Sequence, residues 1–496
     1  MSPDRSDDPP PPFSSTPASG SVTLARAASP ADPAPPAEPS PSLERTTTRP
    51  PEYTAPPTDD PHTLVPHTAL VAHLSLLSHF SALRSRVLSS SDGALARLAP
   101  STRWSAFLRL ATYQLEVWLS RVCARDGSHG PGSKWERGVA ALPVEAALVW
   151  WAWMVGAGGA SGYEEDVRRC WGRELRRKLP GTGGKSELRD FPVVDLVDRL
   201  EGRLSTLVAL RGRQLWEAKT GDAAWDLLEM LEDDEARMWV ECPWCGEGCE
   251  LPLLTPNRTG FCDTSFYAPC PVPTCNRSIT RETLGISRLL EDCLDECPAP
   301  RERVPWEERD RQDWERRQRT EEDKVARKLI GGSLSFSTSV LNPSRTASSR
   351  DLVSAALTTQ DIQRVLRPLA GPAGRLTGRV ATLDKVERAL FTDGALPARV
   401  VRYVLSCYTT PHPFASDVAL GAARLSALLD ALKAAGWLVP GFAHTEEGRE
   451  VLDKAARRYE LFLSLASKVA KEGPALVPVD IDCVWITHML SASRYQ

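Results

Sequence analysis

Leu142-Pro143-Val144-Glu145-Ala146-Ala147-Leu148-Val149-Trp150-Trp151-Ala152-Trp153-Met154 reads against Val477-Pro478-Val479-Asp480-Ile481-Asp482-Cys483-Val484-Trp485-Ile486-Thr487-His488-Met489. The offset is constant: Trp485 follows Trp150, and Met489 follows Met154, by 335 positions. An acid-apolar-aromatic-Leu core precedes each copy, Glu116-Val117-Trp118-Leu119 and Glu460-Leu461-Phe462-Leu463. A tyrosine follows each, Tyr163 and Tyr495. The leading proline suits a helix start, where a missing N–H costs nothing, and the acid two residues later favours the positive end of the helix dipole. Ile481, Val484, Trp485 and His488 then share one helical face, as do Ala146, Val149, Trp150 and Trp153. His488 therefore takes the place of a packing tryptophan. A duplicated supersecondary unit speaks first of architecture.

Outward from the motif, the spacing predicts helices around His73 to Val87, from Ser101 to Val122, between Asp195 and Leu231 with a break near Gly221, from Leu420 to Leu432, and from Glu447 to Ala470. Of the 41 prolines, 18 lie in the first 66 residues, so residues 1–62 are expected to be a disordered tail. Residues 63–235 and 351–496 are expected to form two related helical lobes. A small β zinc ribbon (236–300) and a charged, Ser-rich linker (301–350) separate them. The fold class is mostly α.

The segment 236–285 loses helical periodicity and carries Cys242-x2-Cys245 and Cys270-x4-Cys275. Two thiol pairs at this spacing point to a tetrahedral zinc site closed by four sulfurs, which is structural because no position stays open for substrate. Cys249 and Cys262 are possible substitutes if the longer second spacing misplaces a sulfur. A thioredoxin-like redox pair lacks its βαβ setting. Acids (Glu241, Glu247, Glu250, Asp263) offset Arg258, Arg277 and Arg281, which argues against nucleic-acid binding by the ribbon and for bracing or docking a protein partner.

Net charge of −4 and pI near 6.1 give no polyanion signature. No apolar run reaches membrane-spanning length, and the acidic, proline-rich start is no signal or transit peptide. A cytoplasmic or nuclear protein with reduced cysteines is expected. Gly181-Thr182-Gly183-Gly184-Lys185-Ser186 lacks the first glycine of a phosphate loop, since Leu179 stands there. Gly156 to Gly159 likewise fails the dinucleotide pattern.

Trp485-Ile486-Thr487-His488-Met489-Leu490 resembles the Trp-His-x-His-x-Leu stretch of the glycine-rich-domain-containing-protein-like family. Further similar segments are Ala72 to Phe80, Arg103-Trp104-Ser105, Tyr163-Glu164-Glu165-Asp166, Cys242-Pro243-Trp244-Cys245 and Tyr408 to Phe414. Ile486 and Trp151 stand where that family tends to have histidine. The resemblance thus implies a divergent member, ending at Gln496 where others continue. It implies no activity; nucleic-acid binding has been suggested for plant relatives with additional domains. The leading expectation is a non-enzymatic scaffold or adaptor. A nucleic-acid-binding regulatory protein is one alternative. A metal-dependent enzyme using His488 with Asp482 or Asp480 is the other.

Overall fold

The structure, a computed structural model, describes residues 64–123, 138–156, 163, 190–203, 206–221, 223–294, 364–371, 375–378, 380–392, 401–402, 405–406, 408–412, 414, 417–469, 477–491 and 495. The expected tail, linker, Gly181–Ser186 loop and most of the Gly156–Gly159 segment lie outside them.

The fold is mostly helical. Helix α1 (His67–Ser89), predicted around His73 to Val87, buries Leu70, His73, Leu74, Leu76, Leu77, Phe80, Leu83 and Val87. After a short α2 (Gly93–Ala96), helix α3 (Pro100–Val117) has Pro100 in its first turn. It runs on into a π-helical turn, Trp118–Cys123. The wider turn inserts one residue into the apolar register. It therefore brings Trp118, Leu119, Val122 and Cys123 all inside.

Helix α4 (Val144–Gly156) is the first motif, and every residue from Glu145 to Val155 is buried. The stretch expected to hold one or two helices contains three: α5 (Val193–Leu200), α6 (Thr206–Thr220) and α7 (Leu227–Glu232). Gly221 ends α6 in the left-handed region (φ 67°). Asp226 caps α7 by accepting from the backbone N–H of Leu228 (3.0 Å) and Glu229 (3.3 Å).

Two antiparallel hairpins follow, β1 (Arg237–Glu241) with β2 (Gly248–Pro252), and β3 (Tyr267–Pro269) with β4 (Ser278–Thr280). Arg237 faces Pro252 and Glu241 faces Gly248, so Met238 and Val240 point inward while Arg237 and Trp239 point outward. Beyond them come α8 (Arg281–Leu294), α9 (Leu383–Thr392), α10 (Val418–Ala434), α11 (Glu446–Val469) and α12 (Val479–Leu490), the second motif.

The two motif helices share one core. Helix α10 packs on both α3 and α4, and α12 touches α1, α4, α10 and α11. Their likeness reaches atomic detail. Pro143 accepts from Ala147 N–H at 3.0 Å, and Pro478 from Asp482 N–H at 2.9 Å. Trp150 donates its indole N–H to the Tyr163 hydroxyl (3.0 Å), and Trp485 to that of Tyr495 (3.2 Å). Trp118 packs on Trp150 at 5.1 Å, and Phe462 on Trp485 at 6.0 Å. Trp153 meets Tyr163 edge-on at 4.7 Å, and His488 meets Tyr495 edge-on at 5.0 Å.

A second, smaller core joins Ile286, Leu289 and Leu290 of α8 to Val386, Leu390, Leu405 and Tyr408. Trp244 of the ribbon packs against both cores. Among the described residues no helix is long and apolar enough to cross a membrane.

Candidate metal centre

Each hairpin delivers one pair of cysteines. Cys242 follows β1 and opens a tight turn: its carbonyl accepts from Gly246 N–H (2.8 Å), and its own N–H donates to the Glu247 carbonyl (2.9 Å). Gly246 holds φ 80°, where a side chain is strained, and a Cβ there would fall on the Arg375 guanidinium. The second turn has the same closure on a longer loop. Cys270 N–H donates to the Arg277 carbonyl (2.8 Å), while Asn276 takes the left-handed position (φ 43°) and donates to Val272 (3.0 Å). Val272-Pro273-Thr274-Cys275-Asn276 thus repeats the turn of Cys242-Pro243-Trp244-Cys245-Gly246. The two extra residues bulge before it without displacing Cys275.

The four thiols converge. Cys242 and Cys275 have their sulfurs 3.9 Å apart, Cys245 and Cys270 3.7 Å apart, and all four lie within 4.8 Å of one another. A tetrahedral ion with Zn–S near 2.3 Å sets sulfur–sulfur edges of about 3.8 Å. Among the described residues these four make the whole metal-competent group. Cys249 is buried on β2 with its thiol turned to the Glu247 carbonyl (3.5 Å). Cys262 is buried, with burial pushing its thiol up to about 12. Neither is among the four thiols that lie within 4.8 Å of one another.

The thiols suit a cation. Burial pushes Cys242 up to about 12 and Cys270 up to about 11, so without a cation they stay protonated. Backbone N–H groups of the turns work the other way on Cys242, Cys270 and Cys245, and Cys245 ends below its ordinary value despite its burial. A divalent ion offsets the cost of ionising buried sulfur, and the turn amides already face the sulfurs.

The centre is tied to both cores. Trp244 donates to the Ser278 carbonyl (2.9 Å) beneath the Arg277 guanidinium, 4.7 Å from the ring centre. Leu376 N–H donates to Pro243 (3.0 Å), and Arg375 reaches Glu241 (3.3 Å). On the other side Arg109 of α3 donates to the Cys262 carbonyl (2.8 Å). Arg281 donates to those of Phe261 (2.6 Å) and Asp263 (2.7 Å).

His488 is buried and hydrogen-bonds the Tyr459 hydroxyl through Nδ1 (2.8 Å). Asp480 pairs with Arg458 instead. Burial raises the Asp482 carboxyl above its usual range. A second buried polar chain escaped the sequence reading. Trp151 Nε1–H can only donate, so His73 Nε2 accepts (3.1 Å), leaving Nδ1–H to donate to Thr487 Oγ1 (2.7 Å). The Thr487 hydroxyl donates to Cys483 (2.8 Å). The chain joins α1, α4 and α12, and burial drives His73 down to about 3.

Comparison with known families places the model for "glycine-rich domain-containing protein-like" on residues 439–496. Over those residues the chain is similar to that family. The matched segment takes in α11, α12 and His488, and the cysteine ribbon lies outside it. No curated protein and no solved structure matches the chain.

Proposed function

We propose that this chain is a divergent member of the glycine-rich domain-containing protein-like family and a non-enzymatic scaffold or adaptor in which Cys242, Cys245, Cys270 and Cys275 hold a structural zinc ion. The observation that carries the reading is the closed quartet of thiols seated between two hydrophobic cores. Zinc supplies fixed tetrahedral geometry there, and the ribbon turns it into rigidity where α3, α8 and the Arg375–Leu376 segment meet. Protein partners, rather than a substrate, are the expected ligands.

The test is elemental analysis of the reduced protein beside a Cys242→Ser/Cys270→Ser variant. One zinc per chain, lost in the variant together with thermal stability, supports the proposal. No zinc, or zinc retained by the variant, removes it.

One observation favours a nucleic-acid-binding reading. Trp239 and Tyr267 are exposed on the ribbon, and Tyr267 borders a cavity of about 290 Å³ between β2 and β3. Exposed aromatics can stack bases. The acid Glu250 on the same cavity opposes a phosphate backbone. Salt-sensitive RNA or DNA binding in a mobility assay, lost in Tyr267→Ala, would select this alternative.

A further inference from the structure

The internal repeat shows what one exposed face is built to receive. In the first copy, Val117 is 4% exposed and Leu119 is fully buried, and helix α6 packs over the adjoining Trp118–Cys123 turn. Arg121 fastens that helix by donating to the Thr220 carbonyl at its end (3.0 Å). The equivalent positions in the second copy are Leu461, 60% exposed, and Leu463, 36% exposed. Leu465 is exposed too, four residues beyond Leu461 and therefore on the same side of α11. The deficit extends inward. Trp150 and Tyr163 are fully buried, whereas Trp485 and Tyr495 are only partly so. The ring contacts and Trp–Tyr bonds of the two copies match, but the first copy turns inward through the π-helical Trp118–Cys123 while α11 stays a regular helix, and among the described residues Leu461 and Leu465 stay exposed where α6 covers the first copy.

We propose that the Leu461/Leu465 face of α11 is a docking site for an amphipathic helix of a partner protein, seated where α6 sits in the first copy. Arg457 and Lys454 are exposed, four and seven residues before Leu461, and continue the apolar stripe as a basic end. The partner helix therefore carries an apolar stripe with acidic flanks. This surface is separate from the cysteine quartet and does not depend on a metal.

The probe is the chain's own covering helix, a labelled peptide of residues 206–220, and the same peptide with Arg211→Glu, Arg213→Glu and Lys219→Glu. Anisotropy titration against the full chain is expected to show saturable binding of the acidic peptide and weaker binding of the basic one. Leu461→Asp/Leu465→Asp is expected to weaken the acidic peptide at least about tenfold, a loss of about 1.4 kcal/mol, with the melting temperature unchanged. Arg457→Glu, at an exposed position, is expected to reverse the preference between the peptides. No binding of the acidic peptide at millimolar concentration overturns the proposal, as does binding indifferent to these substitutions. So does a concentration-dependent dimer abolished by Leu461→Asp/Leu465→Asp, which assigns the face to a second copy of the chain.

Discussion

Replacing His73 with leucine changes how stability responds to acid, and the size of the change follows from its surroundings. His73 is fully buried, accepts from Trp151 and donates to Thr487, so the folded chain holds it neutral, with a pKa of about 3 against an ordinary 6.5. A depressed histidine pKa means that the unfolded chain binds the proton first. The stability it confers is whole above pH 6.5 and is lost as pH falls toward 3. At about 1.4 kcal/mol per pKa unit, acidification from neutrality to about pH 5 costs about 2 kcal/mol through this residue alone. Glu145 works in the opposite sense. Burial raises its carboxyl to about 7, so the folded state favours the protonated form and gains as pH falls. The two offset each other near pH 5 to 7, and a nearly flat profile of the native chain would conceal both. The informative quantity is the difference between the native chain and His73→Leu, from urea unfolding followed by tryptophan fluorescence at about pH 7.5 and about pH 5. The native advantage is expected to shrink by about 2 kcal/mol at the lower pH. An advantage that is the same at both pH values refutes the reasoning, because His73 would then be titrating alike in both states.

Glu145→Gln is expected to stabilise the chain at pH 8, by up to about 3 kcal/mol, and to do little at pH 4, as read by the same unfolding titrations. Trp150→Phe is expected to cost about 2–4 kcal/mol and Trp485→Phe roughly half that. Both indoles donate to a tyrosine, but only Trp150 and Tyr163 are fully buried; thermal melts of the two variants compare them. Gly285→Ala is expected to destabilise by about 1–3 kcal/mol, because a Cβ on α8 would run into the Tyr408 carbonyl oxygen; differential scanning calorimetry reads the loss.

The motif helices were legible because each signals its own start with a proline and an acid, then repeats its apolar spacing at one offset. The cysteine quartet was legible because thiol pairs at such spacings have few uses. The x4 gap of the second pair left room for Cys249 or Cys262, which the sequence could not remove. It took backbone geometry, with Asn276 in the left-handed turn and Val272 in the role Cys242 plays in its own turn, to seat Cys275 in the quartet. Other features carry no local signal. The π-helical turn at Trp118 looks like ordinary helix, since an inserted residue shifts the register without marking it. The Trp151–His73–Thr487 chain joins residues 78 and 414 positions apart, and nothing local distinguishes a histidine with buried partners from one facing solvent. Arg109 and Arg281 read as surface charges, yet their targets are carbonyls of a loop that exists only once the ribbon has folded.

The central claim is a zinc ion held by four sulfurs between the two cores, and X-ray absorption at the zinc edge of the purified full chain tests it most directly. The account predicts one shell of four sulfurs near 2.3 Å with no nitrogen or oxygen neighbour. A shell containing imidazole or carboxylate, or fewer than four sulfurs, would contradict it and move the metal away from Cys242, Cys245, Cys270 and Cys275.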